Sequence, residues 1–294
     1  MKILICSDGK AAADNATRIG GMLARAARAE TTLLGIAEQP ADEQPLREAL
    51  EAQANLLRGD NVSPQIVVRA GDPIAGILKE TSSINYDFVV IGSRRTATSG
   101  LYWRTERTYE VIKAVPVPIL VAIGECKRLQ KFLVCTGGKE YIDDAVELTG
   151  KLAAAVGSSV TLLHVMAEPP ALYADLVRLE EDLDRLLESG SELGLNLVRQ
   201  KKELEKLGVT VTVKVRHGIV IDQVFAETHE GGHDLIVSGS SQARGTLRHY
   251  IMGDLTRMIV NRADCPVLVA RSAPRSRVGF WGRMRSVFAP PAKQ

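Results

Sequence analysis

The chain repeats itself, and this repetition restricts its possible folds more than any other feature of the sequence. Lys2–Lys10 reads KILICSDGK, and Lys131–Lys139 reads KFLVCTGGK. Two later pairs follow in the same order, namely Tyr86–Ser93 with His233–Ser240 and Val115–Ala122 with Ala263–Ala270. At roughly 150 residues per domain, 294 residues are enough for two domains. We therefore predict two copies of one fold, at residues 1–124 and 128–270, joined by Gly124–Lys127.

Each half alternates short aliphatic or β-branched runs with longer segments of helical period. In the first half the predicted strands are Ile3–Cys6, Thr32–Ile36, Gln65–Val68, Phe88–Ile91 and Ile119–Val121. The predicted helices between them are Ala11–Ala29, Pro45–Arg58, Pro73–Thr81 and Thr105–Ala114. Strands that are apolar throughout indicate a parallel sheet covered on both faces. We predict an α/β fold in which each half is a doubly wound, five-stranded parallel sheet of order 3-2-1-4-5.

Composition limits the class of protein. With 45% hydrophobic and 24% charged residues, the chain can form packed cores. Its longest apolar runs are far shorter than the roughly 20 residues of a membrane-spanning helix. Asp8 lies only two residues after the apolar start Met1–Cys6, which argues against a signal peptide. Four cysteines without a C-x-x-C pair fit reduced thiols, so a cytoplasmic location is expected.

Basic charge is concentrated at the end of the chain. The net charge is +2, yet residues 271–294 hold six basic side chains and no acidic one. The remainder is therefore slightly acidic, which argues against nucleic acid as a partner. In this tail Phe280, Trp281, Met284, Val287 and Phe288 could share one side of a short helix. A disordered tail and an anionic membrane surface as its partner are both open interpretations.

A leucine-rich segment lengthens the second half between its second and third strands. Leucines recur at alternating spacings of four and three through residues 170–207, with Gly190 and Gln200 interrupting the pattern. We predict an extended helix over 170–207 that covers the sheet. A coiled-coil partner surface is the alternative.

The expected ligand site lies beyond the carboxyl ends of the first and fourth strands, where the strand order reverses. In the second half these positions are Thr136–Gly138 and a predicted loop that starts at Gly239. Glycines allow a ligand to approach the backbone, and a helix N-terminus offers free N–H groups to phosphate. Gly239 could equally close a strand, and Gly253 with Asp254 could simply start a helix.

The order of these motifs resembles a tandem universal stress protein. The second half carries the resemblance in Leu162–Val165, Asp234–Ser240, Gly253–Leu255 and Cys265–Val269, and the first half in Ile3–Lys10, Arg69–Pro73, Asp87–Ser93 and Val117–Val121. The resemblance implies ATP bound between the first and fourth strands, without catalysis, and often dimers. It assigns nucleotide contacts in the second half to Gly137, Val165, Gly239, Ser240, Gly245, Gly253, Asp254 and Leu255, and weaker ones in the first half to Asp8 and Gly92.

Both halves depart from the family's G-x2-G-x9-G-[ST] pattern. In the first half Arg95 replaces the second glycine, and Thr105-Glu106 stands where Gly-Ser is expected. In the second half Gln242 replaces the middle glycine and Asp254 replaces Ser or Thr. A carboxylate 4 Å from a phosphate charge would cost about 4 kcal/mol at an effective dielectric of 20, unless Mg²⁺ or nearby arginines relieve it. ATP, with Mg²⁺ as a possible companion, is therefore expected mainly in the second half.

Other candidate motifs are weaker. His229–His233 matches the zinc protease pattern H-E-x-x-H, but Gly231 and Gly232 disfavour the single helix that two zinc ligands need. His164 is predicted to lie in the core or at a strand end, and His217 and His249 in loops. Cys6 and Cys135 are predicted to be buried, inert thiols.

Two functions remain open. One is an adenine-nucleotide-binding regulatory protein, and the other is an interaction protein of the same fold that binds no nucleotide. The fifth strand of each half is a free edge, which could pair in a homodimer or pair within the chain as a pseudo-dimer.

Overall fold

The structure, a computed structural model, describes residues 1–10, 14–93, 106–137, 143–167, 183–242, 250–251 and 253–271. In the first half, the strands are β1 (Lys2–Cys6), β2 (Glu30–Ala37), β3 (Gln65–Ala70), β4 (Phe88–Gly92) and β5 (Ile119–Ala122). The helices are α1 (Asp14–Ala27), α2 (Glu43–Gly59), α3 (Pro73–Ser83) and α4 (Glu106–Ala114), with a 3-10 turn at Pro40–Asp42.

Within its described residues, the second half repeats this order with one helix and one short strand more. Its strands are β6 (Lys131–Cys135), β7 (Ser159–Met166), β8 (Val211–His217), β9 (Leu235–Gln242), β10 (Tyr250–Ile251) and β11 (Val267–Arg271). Its helices are α5 (Asp143–Val156), α6 (Leu183–Glu188), α7 (Glu192–Lys206), α8 (Val220–Gly231) and α9 (Asp254–Arg262).

All strands belong to one sheet of order β3-β2-β1-β4-β5-β11-β9-β6-β7-β8, with β10 paired to β9. The predicted order 3-2-1-4-5 is confirmed in the first half, and the second half has the same order. The two fifth strands, β5 and β11, pair antiparallel with Leu120 opposite Leu268. The chain therefore satisfies these two edges itself, which is the intrachain pseudo-dimer among the two predicted alternatives.

The apolar strands are buried on both faces of the sheet, as a parallel sheet covered by helices requires. Along β1, Ile3 and Ile5 belong to one hydrophobic cluster and Leu4 to the other, and none of the three is exposed. On α2, the apolar side chains that reach the first cluster recur at helical spacing, at Leu46, Leu50, Ala54 and Leu57.

The predicted extended helix over 170–207 is wrong in its described part. The chain forms two helices, α6 and α7, with a break at Gly190, whose φ is +67°. This left-handed conformation ends the first helix, and the Ser191 side chain caps the next by accepting from the Gly194 N–H at 3.1 Å. Leu197 and Leu204 of α7 are fully buried, whereas Leu195 is 59% exposed. Residues 170–182 lie outside the described residues.

Three further expectations need correction or cannot be placed. His217 closes β8 instead of lying in a loop. The predicted loop from Gly239 is strand as far as Gln242. His249 and the tail at 272–294 lie outside the described residues. No helix among the described residues is both long and apolar enough to cross a membrane.

Polar contacts bind the two halves at their joint. Gly124 has φ +65°, and a Cβ there would lie 2.0 Å from the Asp264 carbonyl oxygen. Arg271, at the end of β11, is 5% exposed and donates to the carbonyl oxygens of Ile112 and Val115. A buried cation of the second half thereby satisfies the C-terminal carbonyls of α4 in the first half, where the helix dipole is negative.

Candidate functional site

The candidate site of the second half lies at the carboxyl ends of β6, β7 and β9. β6 is the central strand, with Cys135 level with Leu163 of β7 and with Ser238 of β9. The chain goes from β6 to β7 on one side, and β9 lies on the other side, so the strand order reverses here. This register brings the predicted residues Gly137, Val165 and Gly239 to the same edge of the sheet.

Thr136, the residue after β6, forms hydrogen bonds with β7 and α7 at this edge. Its N–H donates to the Leu163 carbonyl at 2.9 Å, and its own carbonyl lies 2.9 Å from Nδ1 of His164. His164 is thus a strand residue bound to the neighbouring backbone. The Thr136 hydroxyl donates to Oε1 of Gln200 at 3.0 Å, and Gln200 is 1% exposed on α7. The end of β6 is therefore lined by polar groups.

The start of α9 lies beside the end of β9, at the same edge of the sheet. Gly253 is the N-cap, with φ −58° and ψ 155°, and no side chain of the described residues caps the helix. Asp254 is the first helical residue rather than the cap, and it is exposed. A Cβ on Gly253 would meet no described atom within 4 Å. Leu255, half-buried, packs against the core. No side chain of the described residues therefore caps the N–H groups of this first turn, and no described atom fills the space beside Gly253.

Thr256, which was not among the predicted site residues, fixes α9 against β9. Its hydroxyl donates to the Gly239 carbonyl at 3.0 Å and lies 2.8 Å from the Ser238 hydroxyl. Thr256 is 2% exposed, so this bond is shielded from water. A threonine in the first turn after Gly253 was the available signal, because such hydroxyls bond to nearby backbone.

Gly239 and Ser240 are strand residues, which changes how they could contact a ligand. Gly239 is level with Ala270 of β11, and Ser240 with Arg271. Beyond them Gln242 and Ser241 pair antiparallel with β10. Only main-chain groups not used in these ladders are available there. Gly245 lies outside the described residues.

The first half holds its two predicted residues at the corresponding edge. Asp8 follows β1, and its Oδ1 accepts from the Lys10 N–H at 3.1 Å. Gly92 ends β4, level with Ala122 of β5. A Cβ on Gly9 would lie 2.8 Å from the Ala49 Cβ, so α2 packs closely over this turn. The rest of the expected loop, residues 94–105, lies outside the described residues.

The H-E-x-x-H residues do not share one helical face. His229 lies in the last turn of α8, which Gly232 ends with φ +63°. His233 follows the helix, and its Nε2 lies 3.2 Å from Oε1 of the buried Glu227. Burial alone would raise the pKa of Glu227, but hydrogen bonds from Lys214, Arg216 and His233 hold it below its ordinary value.

The two thiols of the first strands, Cys6 and Cys135, were predicted to be buried and inert, and as whole residues they are half-buried. Burial raises the pKa of both Cys6 and Cys135 to about 12. At neutral pH neither is a thiolate nucleophile. All four cysteines are free thiols.

Comparison with known proteins agrees with the repeated fold. The model of the Universal stress protein family matches residues 1–122 and again residues 128–271. The universal stress proteins MJ0531 and MJ0577 of Methanocaldococcus jannaschii are 23% and 25% identical over 142 and 154 residues, each match covering 48% of this chain and 82% and 94% of the relative.

A solved structure extends the likeness to both halves. The universal stress protein from Archaeoglobus fulgidus superposes with a TM-score of 0.68 at 19% identity, covering 92% of this chain and 98% of its own. At that identity the likeness concerns the fold. The two family matches, each on one copy of the repeat, show that this chain belongs to the Universal stress protein family and is a tandem member of it.

Proposed function

We propose that this chain is a regulatory protein that binds ATP at the carboxyl edge of β6 and β9 and does not turn it over. The supporting observation is the start of α9. No described side chain caps its first turn, no described atom lies within 4 Å of a Cβ on Gly253, and Thr256 holds the turn against the end of β9. A helix N-terminus of this kind suits phosphate oxygens.

The adenine would lie towards β7. Val165 and Gly137 each lie two residues beyond the paired residues Leu163 and Cys135, so their backbones line the same edge. In this arrangement Gly137, Val165, Gly239, Ser240, Gly253 and Leu255 would contribute mainly main-chain contacts. The first half would bind nucleotide more weakly through Asp8 and Gly92, because the Asp8 carboxylate already bonds within its own turn.

Asp254 sets the expected role of Mg²⁺. Its carboxylate stands at the first helical position, where a phosphate would also lie. The unscreened repulsion of about 4 kcal/mol falls to about 1 kcal/mol for an exposed carboxylate screened by water. We therefore expect Asp254→Ser to tighten ATP binding about fivefold without Mg²⁺, and less with Mg²⁺. Titration calorimetry in both conditions measures this, and equal affinities of both proteins would contradict it.

The test of the main proposal is titration calorimetry of the full chain with Mg-ATP. Gly253→Leu should abolish the heat by filling the space at the helix start. Gly59→Leu is the matched control, because a Cβ on Gly59 also meets no described atom within 4 Å and it lies in the first half. Absence of heat with wild-type protein at millimolar ATP would overturn the proposal. ADP release during incubation would overturn the non-catalytic part.

The β9–β10 hairpin supports a second candidate, an interaction protein that binds no nucleotide. It uses Ser241 and Gln242 in pairing where the family pattern expects a glycine loop. Under this alternative ATP gives no heat, and a homodimer or another partner carries the function. Sedimentation with and without Mg-ATP distinguishes a ligand-independent dimer from a nucleotide-dependent one. We place either function in the cytoplasm, since four free thiols fit a reducing compartment.

A further inference from the structure

The sheet ends in two outer strands, β3 in the first half and β8 in the second. Within the described residues, β3 pairs only with β2, and β8 pairs only with β7. An edge strand carries a row of unpaired N–H and C=O groups that can pair with another chain. Because β5 and β11 already pair with each other, β3 and β8 are the strands through which the sheet could be extended.

The outward main-chain groups of β3 belong to alternate residues. The Gly71 N–H donates to the end of β2 at 2.9 Å, so the main-chain groups of every second residue before it, Arg69 and Val67, also point to β2. The N–H and C=O groups of Ile66 and Val68 therefore point away from the sheet. No described group forms a hydrogen bond with them.

The helices beside β3 cover its faces, and no described element lies beyond its outer edge. α2 packs against both β2 and β3, and α3 packs against β2. Residues 66–68 are half-buried, whereas Ile3, Leu4 and Ile5 of the inner strand β1 are 0% exposed. The difference arises because β3 has a neighbouring strand on one side only.

The two edges can be compared residue by residue, because a glycine follows each of them. Gly71 and Gly218 have φ +114° and +125°, and the N–H of each donates at 2.9 Å to the end of the neighbouring strand. Counting back from these glycines matches Val67 of β3 with Lys214 of β8. The residues on either side are aliphatic in both strands, namely Ile66 and Val68 in β3 and Val213 and Val215 in β8.

Two copies of β3 can pair antiparallel with matched hydrogen bonds and matched side chains. With a two-fold axis at Val67, Ile66 of one copy lies opposite Val68 of the other. These are the residues with outward N–H and C=O groups, so each such pair exchanges two hydrogen bonds. Every cross-strand pair next to the axis is aliphatic, which is favourable. Gln65 then lies opposite Arg69, so no two like charges are directly opposed.

The same arrangement is unfavourable at β8. A two-fold axis at Lys214 would place two lysines opposite each other, and like charges in this position are destabilising. Lys214 donates to the buried Glu227 at 2.8 Å, yet its side chain is 43% exposed. Glu227 also pairs with Arg216, so one carboxylate faces two cations. A charged side chain within an edge strand is one of the features that prevent edge-to-edge pairing.

We propose that β3 pairs antiparallel with β3 of a second copy of this chain about a two-fold axis at Val67, and that Lys214 prevents the same pairing at β8. The two-fold axis closes the assembly at two chains. A single pair of short strands is a small interface, so the dimer should be weak and dependent on concentration. The pairing needs no nucleotide, so it is compatible with either proposed function.

The decisive variant is Val67→Lys, which gives β3 the central residue of β8. It should fold, because Glu80 stands in the first half where Glu227 accepts from Lys214 in the second. In sedimentation equilibrium it should raise the dimer dissociation constant about tenfold or more. A folded Val67→Lys protein that dimerises as wild type does would overturn the proposal. So would wild-type protein that stays monomeric at near-millimolar concentration, or that forms open chains larger than dimers.

The reverse exchange tests the role assigned to β8. Lys214→Val should form assemblies larger than dimers, because each chain then has two edges that can pair with themselves. The measurement is sedimentation velocity over a range of protein concentrations. A folded Lys214→Val protein that stops at the dimer would overturn the role of Lys214.

Two more measurements distinguish this edge from other contacts. Val68→Pro removes one outward N–H and leaves the bonds to β2, so it should abolish the dimer, whereas the matched control Val215→Pro in β8 should keep it. Hydrogen exchange at the Ile66 and Val68 amides should slow as wild-type concentration rises, while Val213 exchanges equally fast throughout. Gly253→Leu should dimerise as wild type does, whether or not it binds ATP. A dimer in which the Ile66 and Val68 amides stay unprotected would overturn the proposal.

Discussion

The two halves bury the same carboxylate and surround it differently. Glu80 of α3 is 1% exposed, and it pairs with Arg69 of β3. Glu227 of α8 is fully buried and pairs with Arg216 of β8. The pair is repeated at matching positions, so it belongs to the duplicated fold.

The third partner of the carboxylate shows how the copies diverged. In the first half Tyr86 donates to Glu80 at 3.1 Å, and burial raises the pKa of this phenol to about 12. In the second half His233 takes the place of Tyr86, and Lys214 adds a second cation. One neutral donor has thus been replaced by groups that carry or can acquire charge. Duplication kept the buried ion pair and changed the groups that surround it.

Among the substitutions that test this difference between the halves, Glu227→Gln should have the largest effect on stability. Removing the charge leaves two cations facing a neutral amide, which should cost about 3 kcal/mol of unfolding free energy. Glu80→Gln should cost roughly 2 kcal/mol, because Glu80 is paired with one cation. Urea unfolding of both variants at neutral pH measures the difference. Equal losses would mean that Lys214 contributes nothing.

The same variant should change the acid dependence of stability. Because the pKa of Glu227 is lower in the folded state than in the unfolded one, its contribution is present above the ordinary glutamate pKa of about 4.3. It is lost as the pH falls through the folded value. The difference in unfolding free energy between wild type and Glu227→Gln should therefore stay constant above the ordinary glutamate pKa and shrink as the pH falls below it. A difference that does not change with pH would contradict this account.

A smaller effect is expected at the helix cap that the second half has lost. Asp72→Ala removes the hydrogen bond to the Ala75 N–H and should cost about 1 kcal/mol. Ile219→Ala is the control and should change stability little, since Ile219 is largely exposed and makes no cap. Thermal unfolding of both variants makes the comparison. A loss at Ile219 as large as at Asp72 would mean that Ile219 packs against something.

Repetition explains why so much of the fold could be predicted. Residues such as Ile3, Phe88 and Ile119 are fully buried, and they belong to strands that are covered on both faces of the sheet. Each such strand can be recognised in the sequence by its continuous run of apolar residues. Matching the two copies then fixed which strands correspond, and the family resemblance supplied the order. The break at Gly190 was harder to predict. Gly190 interrupts the leucine pattern, but the same spacing resumes after it, and only the backbone conformation reveals the end of α6.

The site was less predictable than the sheet, because its features depend on contacts distant in sequence. The bond from Thr256 to the Gly239 carbonyl requires α9 to fold back onto β9. The contact of Gln200 with Thr136 exists because α7 crosses the end of β6. In the first half the matching Gln53 accepts from Thr17 of α1 instead, at 3.3 Å, so the repeat alone did not predict the partner.

The helix ends carry a last difference between the copies. α1 and α2 are followed by Arg28 and Asn61, with φ +48° and +62°. At the matching places after α5 and α7 the second half has Gly157 and Gly208, with φ +71° and +80°. Only glycine adopts this region without strain, and asparagine tolerates it better than arginine does. The first half therefore holds backbone strain that the second half avoids.

Exchanging these residues gives the smallest predicted effects. Arg28→Gly should stabilise the chain by about 0.5 kcal/mol, because the relief of backbone strain exceeds the cost of the added entropy of the unfolded chain. Asn61→Gly should stabilise it by at most a few tenths of a kcal/mol. Gly157→Arg, the reverse exchange, should destabilise by about 1 kcal/mol, although a Cβ there meets no described atom within 4 Å. Urea midpoints rank the three variants. Both copies end the helix with the same hydrogen bond, since the N–H groups of Ala29 and Ser158 donate to carbonyls five residues back, at 2.9 and 2.8 Å. If Arg28→Gly instead lowers the stability, the arginine side chain must therefore stabilise the fold by more than the strain of its backbone costs.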